Sequence, residues 1–255
     1  MKKIIFFQAH PDDLEFNCAH ILHYFAKRSD NYEIKIASLT RGEYGTAKHG
    51  SDHFKGERLG RIRTKELFNA QAIHGITPAQ VYFFEIVDGY TKFDKQTVDL
   101  VRAYLDNEKP DIIFACEPRN TYYRHPDHMI CGKIIYYILD KQLLDKNPKL
   151  YFYSSINPNF RWPFNKENLP LAYRLIHTHE SQYYMFKFIK PAYRFLFKLN
   201  GRRVKGWRYA EGYRRVYYGK KRKQNPKMKL YQRIFLLLNV KIWPEKITRH
   251  EIVLE

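Results

Sequence analysis

The sequence predicts an α/β protein: a Rossmann-like, mostly parallel sheet flanked by helices, followed by a basic, aromatic-rich C-terminal extension. Three observations carry this. Short apolar runs alternate with segments of helical periodicity over the first two thirds of the chain. The apolar runs lack strict alternation, as strands buried on both faces do. The 255 residues, 44% hydrophobic, can bury a core without disulfides.

Lys3 to Gln8 is the first apolar run and reads as a buried strand ending at Ala9-His10-Pro11. Pro11 holds His10 extended. Leu14, Cys18, Ile21, Leu22 and Phe25 then recur as one helix face. Glu33 to Leu39 is a second strand, followed by the glycine-bearing loop Thr40 to Gly45. Residues 58–74 are helical, Val81 to Ile86 is a third strand broken at Asp88-Gly89, and Val98 to Leu105 is helical. Asp111 to Cys116 is a fourth strand. A polar loop with tyrosines follows, then His125-Pro126-Asp127-His128, a helix through Ile130, Ile134 and Ile138, and a fifth strand, Leu150 to Tyr153.

The expected division is a domain over residues 1–182 and an extension over 183–255 packed on it. Residues 183–255 carry 20 Lys/Arg against 4 Asp/Glu, a net +16, whereas residues 1–182 carry only +3. Such a tail calls for an anionic partner: a lipid surface, a phosphorylated substrate or nucleic acid. No nucleic-acid motif is present and the charge lies outside the His/Asp region, so nucleic acid is disfavoured. Three cysteines with no C-x-x-C spacing give no disulfide framework, and no apolar run reaches the roughly 20 residues of a spanning helix. The expected location is cytoplasmic, with peripheral contact to anionic membrane open.

Ligands of such sheets bind beyond the carboxyl ends of the strands. Four loops there carry the polar candidates: His10 to Asp13, the glycine loop, Asp88, and His125 to His128. His10, Asp13 and His128 offer two imidazoles and a carboxylate, a donor set for zinc with a position left for water. Fe2+ and Co2+ accept the same ligands as Zn2+. Asp12, beside a ligand, is placed to accept a proton from that water. His20 and His23 are spaced for a second metal pair or for packing, and His49 and His53 fall in a polar loop.

These motifs, in order, resemble the LmbE/PIG-L family of zinc-dependent N-acetylglucosamine deacetylases. The resemblance spans about residues 1–182: His10-Pro11-Asp12-Asp13, the Thr-x-Gly-Glu-x-Gly loop from Thr40 to Gly45, Arg63 with Glu66, Asp88, His125-Pro126-Asp127-His128, and His179-x-Ser181-Gln182. It implies hydrolysis of an N-acetyl group on an amino-sugar conjugate, with a lipid-linked or phosphorylated one open, and with His10, Asp13 and His128 as metal ligands and Asp12 as general base. It further implies that His125 stabilises the oxyanion and donates a proton, that Asp127 orients His125, and that Arg63 and Asp88 hold the sugar. Tyr123 would touch the tetrahedral intermediate, and Glu43 would bond substrate or cap its loop. Leu14 and Asn17-Cys18-Ala19 depart from the acidic and glycine-rich pattern of the family at this turn, which affects the pocket's shape and not the ligands. Hydrolysis of another amide or ester uses the same ligand set.

Overall fold

The computed structural model describes residues 1–45, 54–183 and 189–242. His49 and His53 lie outside the described residues. Five strands are parallel: β1 (Lys2–Gln8), β2 (Tyr32–Ser38), β3 (Val81–Phe83), β4 (Ile112–Cys116) and β5 (Lys149–Tyr153). Two more continue the sheet antiparallel, β6 (Phe160–Phe164) and β7 (Tyr209–Val216), giving the order β3-β2-β1-β4-β5-β7-β6. β1 is central, and Ile4, Ile5, Phe6 and Phe7 are all fully buried, which is why this strand shows no polar face in the sequence. Helices α3 (Glu57–His74), α4 (Lys95–Glu108) and α5 (Pro126–Asp140) link the parallel strands.

The chain runs outward from β1 through β2 to β3, then returns to β4 on the other side of β1. The carboxyl ends of β1 and β4 therefore flank the point where strand order reverses, where a crevice opens in folds of this kind. The turn after β1 begins with His10, and the loop after β4 leads to His125.

Three departures from the sequence expectation have local causes. The first helix is two pieces, α1 (Asp13–Asn17) and α2 (Ala19–Ala26), separated at Cys18. The break is compensated by buried Glu211 of β7, whose carboxylate accepts from the His20 and Ile21 backbone N–H groups at 2.8 and 3.0 Å. Those are orphan donors that a helix start must satisfy. β3 stops at Phe83, short of Ile86, because Glu85 takes a φ of 58° that no strand residue adopts. And residues past 183 enter the sheet: β7 sits between β5 and β6, with α8 (Ile189–Gly201) packed against it. Helices α6 (Leu169–His177), α7 (Glu180–Tyr183) and α9 (Leu230–Ile242) complete the described elements. Among the described residues no helix is long and apolar enough to cross a membrane.

Candidate active site

The turn after β1 is built around Asp13. Its Oδ2 accepts from the backbone N–H of Ala9 at 2.9 Å and of His10 at 3.1 Å. These bonds and the neighbouring His128 and His10 outweigh a large burial cost, so the carboxyl is held well below its usual range. Asp12 precedes it with a φ of 132° and a ψ of −23°, a conformation that L-residues other than glycine seldom adopt. Arg63 of α3 fixes the turn. Its Nη2 donates to the Pro11 carbonyl at 2.8 Å and to Asp12 Oδ2 at 3.0 Å, and its Nη1 donates to the Gly42 carbonyl at 3.0 Å. The glycine spacing in the Thr40–Gly45 loop follows from this guanidinium, since a Cβ at Gly42 or Gly45 would sit on Arg63 Nη1.

The second motif opens α5. His125 is extended (φ −90°, ψ 130°), and Pro126 takes the first helical position, where its missing N–H costs nothing. Asp127 and His128 then occupy the first turn, both buried.

The two motifs meet. His10 Nε2 lies 2.9 Å from Asp88 Oδ1 and 3.1 Å from Asp127 Oδ2. With carboxylate acceptors on that side, Nε2 carries a proton, which leaves Nδ1 as the nitrogen that would face a metal ion. His10 Nδ1 is 3.0 Å from His128 Nε2, which in turn is 3.1 Å from Asp13 Oδ1. His128 Nε2 thus stands between two candidate donors of the first turn, His10 Nδ1 and Asp13 Oδ1. Donors about 2.0–2.1 Å from a tetrahedral cation lie roughly 3.4 Å apart, close to both of these separations, although His10, Asp13 and His128 do not all lie within 4.8 Å of one another. Three overlapping groups here have metal-holding proximity: His10 with His125 and His128, Asp13 with Cys116 and His128, and His10 with Asp88 and Asp127.

Asp127 is placed differently from the expectation. No hydrogen bond joins it to His125 among the described residues: its Oδ2 lies by His10 and accepts from the Gly89 N–H at 2.8 Å, while Asp127 Oδ1 and His125 Nδ1 have no hydrogen-bond partner among the described residues. The cause is the loop after β3, which brings Asp88 against His10 and Gly89 against Asp127. Asp88 follows the same logic, since besides His10 it accepts from the Tyr44 N–H at 3.0 Å. Glu43 is a loop brace, its Oε1 accepting from the Asp88 N–H at 3.0 Å.

The charges sort by environment. Burial raises the Asp12 carboxyl to about 6, with Arg63 opposing. Burial, aided by the neighbouring His10 and His128, pushes the His125 imidazole down to about 3. Burial also pushes the Cys116 thiol well up, and its Sγ lies 2.9 Å from Tyr153 Oη.

His10, Asp12, Asp13, Arg63, Asp88 and His128 border a cavity of about 760 Å³. Tyr123 and His125 line it too. The opposite wall was not foreseen from sequence. It comes from α8, through Ala192, Tyr193 and Leu196, and from Asn17, whose Oδ1 accepts from Tyr122 Oη at 3.0 Å and Ser154 Oγ at 2.7 Å. His179 is fully buried beside Glu15, at 3.3 Å, and Glu66 accepts from Ser181 N and Oγ, both at 2.7 Å, so Glu66 pairs with Ser181 and Arg63 with Asp12. His20 bonds Glu211 and the Asn168 carbonyl, and His23 faces His74; neither belongs to a metal-holding group among the described residues.

Solved structures share this architecture. N,N'-diacetylchitobiose deacetylase from Pyrococcus horikoshii superposes with a TM-score of 0.72 at 23% identity, over 84% of each chain. The 4-carboxy-2-hydroxymuconate hydratase GalB from Pseudomonas putida gives a TM-score of 0.65 at 18% identity, over 90% of this chain and 98% of its own. A deacetylase of teicoplanin biosynthesis gives 0.62 at 11% identity, over 83% and 96%. No curated protein sequence matches this chain. The family model described as "PIG-L: GlcNAc-PI de-N-acetylase" matches residues 5–139, which hold both His/Asp motifs, and the chain belongs to the PIG-L family.

Proposed function

We propose that this protein is a metal-dependent N-deacetylase that hydrolyses the acetamide of an N-acetylglucosamine-containing conjugate. The observation that carries the reading is the meeting of His10 Nδ1, His128 Nε2 and Asp13 Oδ1 beside Asp12 in one cavity. Fold alone does not select the reaction, since a hydratase shares it. The reading rests on the site and on family membership.

His10, Asp13 and His128 would hold the ion, Zn2+ first and Fe2+ or Co2+ as alternatives. When bound it supplies an acidified water and polarises the acetyl carbonyl. The protein does the rest. Asp88 and Asp127 fix the tautomer and direction of His10. Asp12 takes the proton of the attacking water. A carboxyl raised to about 6 can hold that proton and pass it to the leaving nitrogen. His125, kept neutral by burial, donates a ring N–H to the developing oxyanion. Asp12 is therefore the proton carrier for the amine in this reading, and His125 the hydrogen-bond donor. Tyr123, on the cavity wall, stands on the oxyanion side with His125, their ring centroids 6.0 Å apart. Arg63 and Asp88 reach the sugar only at their cavity-facing edges, because their polar atoms are engaged with Asp12 and His10.

The deciding experiment measures acetate release from a panel of N-acetylglucosamine conjugates, with and without a chelator. Release that is abolished by chelator and restored by added metal is expected. Turnover indifferent to chelator, in protein that analyses as metal-free, would refute the reading.

A further inference from the structure

Helix α9 is built inside-out. Among its described side chains the buried one is polar Gln232, which donates to the Ile156 carbonyl and to Asn157 Oδ1. Leu230, Ile234 and Leu237 are 74%, 50% and 66% exposed. Their spacing of four and three residues makes one apolar stripe on the solvent side. Phe195 and Leu199 of α8 are exposed as well.

The exposed charges of α8, α9 and the residues between them are cationic. Arg194, Arg202, Lys227, Lys229 and Arg233 are exposed. Within residues 183–242 the sole acid in the sequence is Glu211, and it is buried at 2% exposure, engaged with the start of α2 and with Tyr213. This segment therefore offers no surface carboxylate to neutralise its own cations. Round α9 from the stripe, Tyr231 and Phe235 line a groove that leads toward the cavity. This groove of about 350 Å³ runs past Phe195, Leu199, Tyr231 and Phe235 to Phe16 and Leu196, and the last two also line the cavity that holds His10 and Asp12.

We propose that the α8–α9 face docks on an anionic lipid bilayer, with Leu230, Ile234 and Leu237 at the depth of the headgroups and Lys227, Lys229 and Arg233 against lipid phosphates. An amphipathic basic helix binds such surfaces by apolar burial combined with electrostatic attraction. Docking by the stripe would place the α9 edge of the groove, Tyr231 and Phe235, beside the membrane surface. A second copy of the chain is a poor occupant, because it would press two like-charged faces together. A single-stranded nucleic acid would use the cations but not the stripe, since leucine and isoleucine do not stack on bases. The inference is independent of the deacetylase reading, and its test needs no turnover.

The full chain is sedimented with vesicles of phosphatidylcholine alone and of phosphatidylcholine mixed with phosphatidylglycerol, at low and high salt. Expected is binding to the anionic vesicles on the order of tenfold stronger than to neutral ones, weakening with salt. The L230S/I234S/L237S variant should lose on the order of tenfold in partitioning. K227E/K229E/R233E should lose the preference for anionic lipid. Both variants should keep the parent's thermal melt, which separates lost docking from lost folding. Equal binding to both vesicle types, no binding, or a stripe variant that partitions like the parent would overturn the proposal. So would a dimer by light scattering that the stripe variant abolishes, or oligonucleotide binding that the stripe variant lowers in parallel.

Discussion

Arg63 and Asp12 form a buried ion pair, Nη2 to Oδ2 at 3.0 Å, and the same nitrogen also holds the Pro11 carbonyl. One guanidinium thus anchors both the charge and the unfavourable backbone of the first turn. Its fork geometry matters: one nitrogen serves the turn after β1 and the other the loop after β2.

Replacing Arg63 removes that anchor. Arg63→Ala leaves a buried carboxylate unpaired and should cost about 3–5 kcal/mol in urea unfolding. Arg63→Lys keeps the charge but not the fork and should recover part of the loss. Metal content of the folded variant should stay near the parent's, because Arg63 bonds none of His10, Asp13 or His128 among the described residues. Gly42→Ala should mimic the lesion in milder form, since its Cβ would displace the guanidinium and its φ is +66°.

Asp12 and His128 should fail in different ways. Asp12→Ala is expected to keep the metal and lower turnover by about 10²–10⁴-fold, the contribution of a positioned general base. His128→Ala should lose metal on dialysis, because His128 Nε2 stands between the other two donors. Metal analysis paired with acetate release checks both, and near-normal turnover by metal-loaded Asp12→Ala protein would remove Asp12 from the mechanism.

Asp127→Asn tests the lock on His10. Asparagine retains an acceptor for the Gly89 N–H but weakens the charged partner of His10 Nε2. Loss of such an outer partner lowers metal affinity by about 10–100-fold. A competition titration against a chromophoric chelator measures it. Were Asp127 instead the orienter of His125, affinity would hold and only turnover would fall.

His74 should make the fold acid-sensitive. Burial, and after it the neighbouring His23, pushes its imidazole down to about 3, and the side chain is fully buried. An unfolded chain takes up a proton below about 6.5 that the native chain refuses until about 3. Stability is then full above pH 6.5 and declines as pH falls toward 3, by on the order of 4–5 kcal/mol from this group. Urea midpoints measured across that range should fall, and His74→Gln should flatten the decline. A variant that declines as steeply as the parent would show that other groups set the slope.

What the sequence determined by itself was local or ordered along the chain. Ile4 to Phe7 reads as a buried strand because every side chain there is apolar. Pro11 and Pro126 mark the two turns because proline restricts the residue before it. The ordered motifs identify the family, because each chemistry-bearing group leaves a signature of residue type and spacing. What only the tertiary structure decided depended on partners far apart in sequence. Asp127 turns to His10, 117 residues away, and not to the nearby His125. Cys18 interrupts a helical pattern because Glu211, about 190 residues later, caps the second piece. The far wall of the cavity comes from α8, in a region whose composition reads only as basic and aromatic. Periodicity reports which face of an element is buried. It carries no information about which distant carboxylate, ring or N–H will be waiting there, because that choice is made by the packing of the sheet.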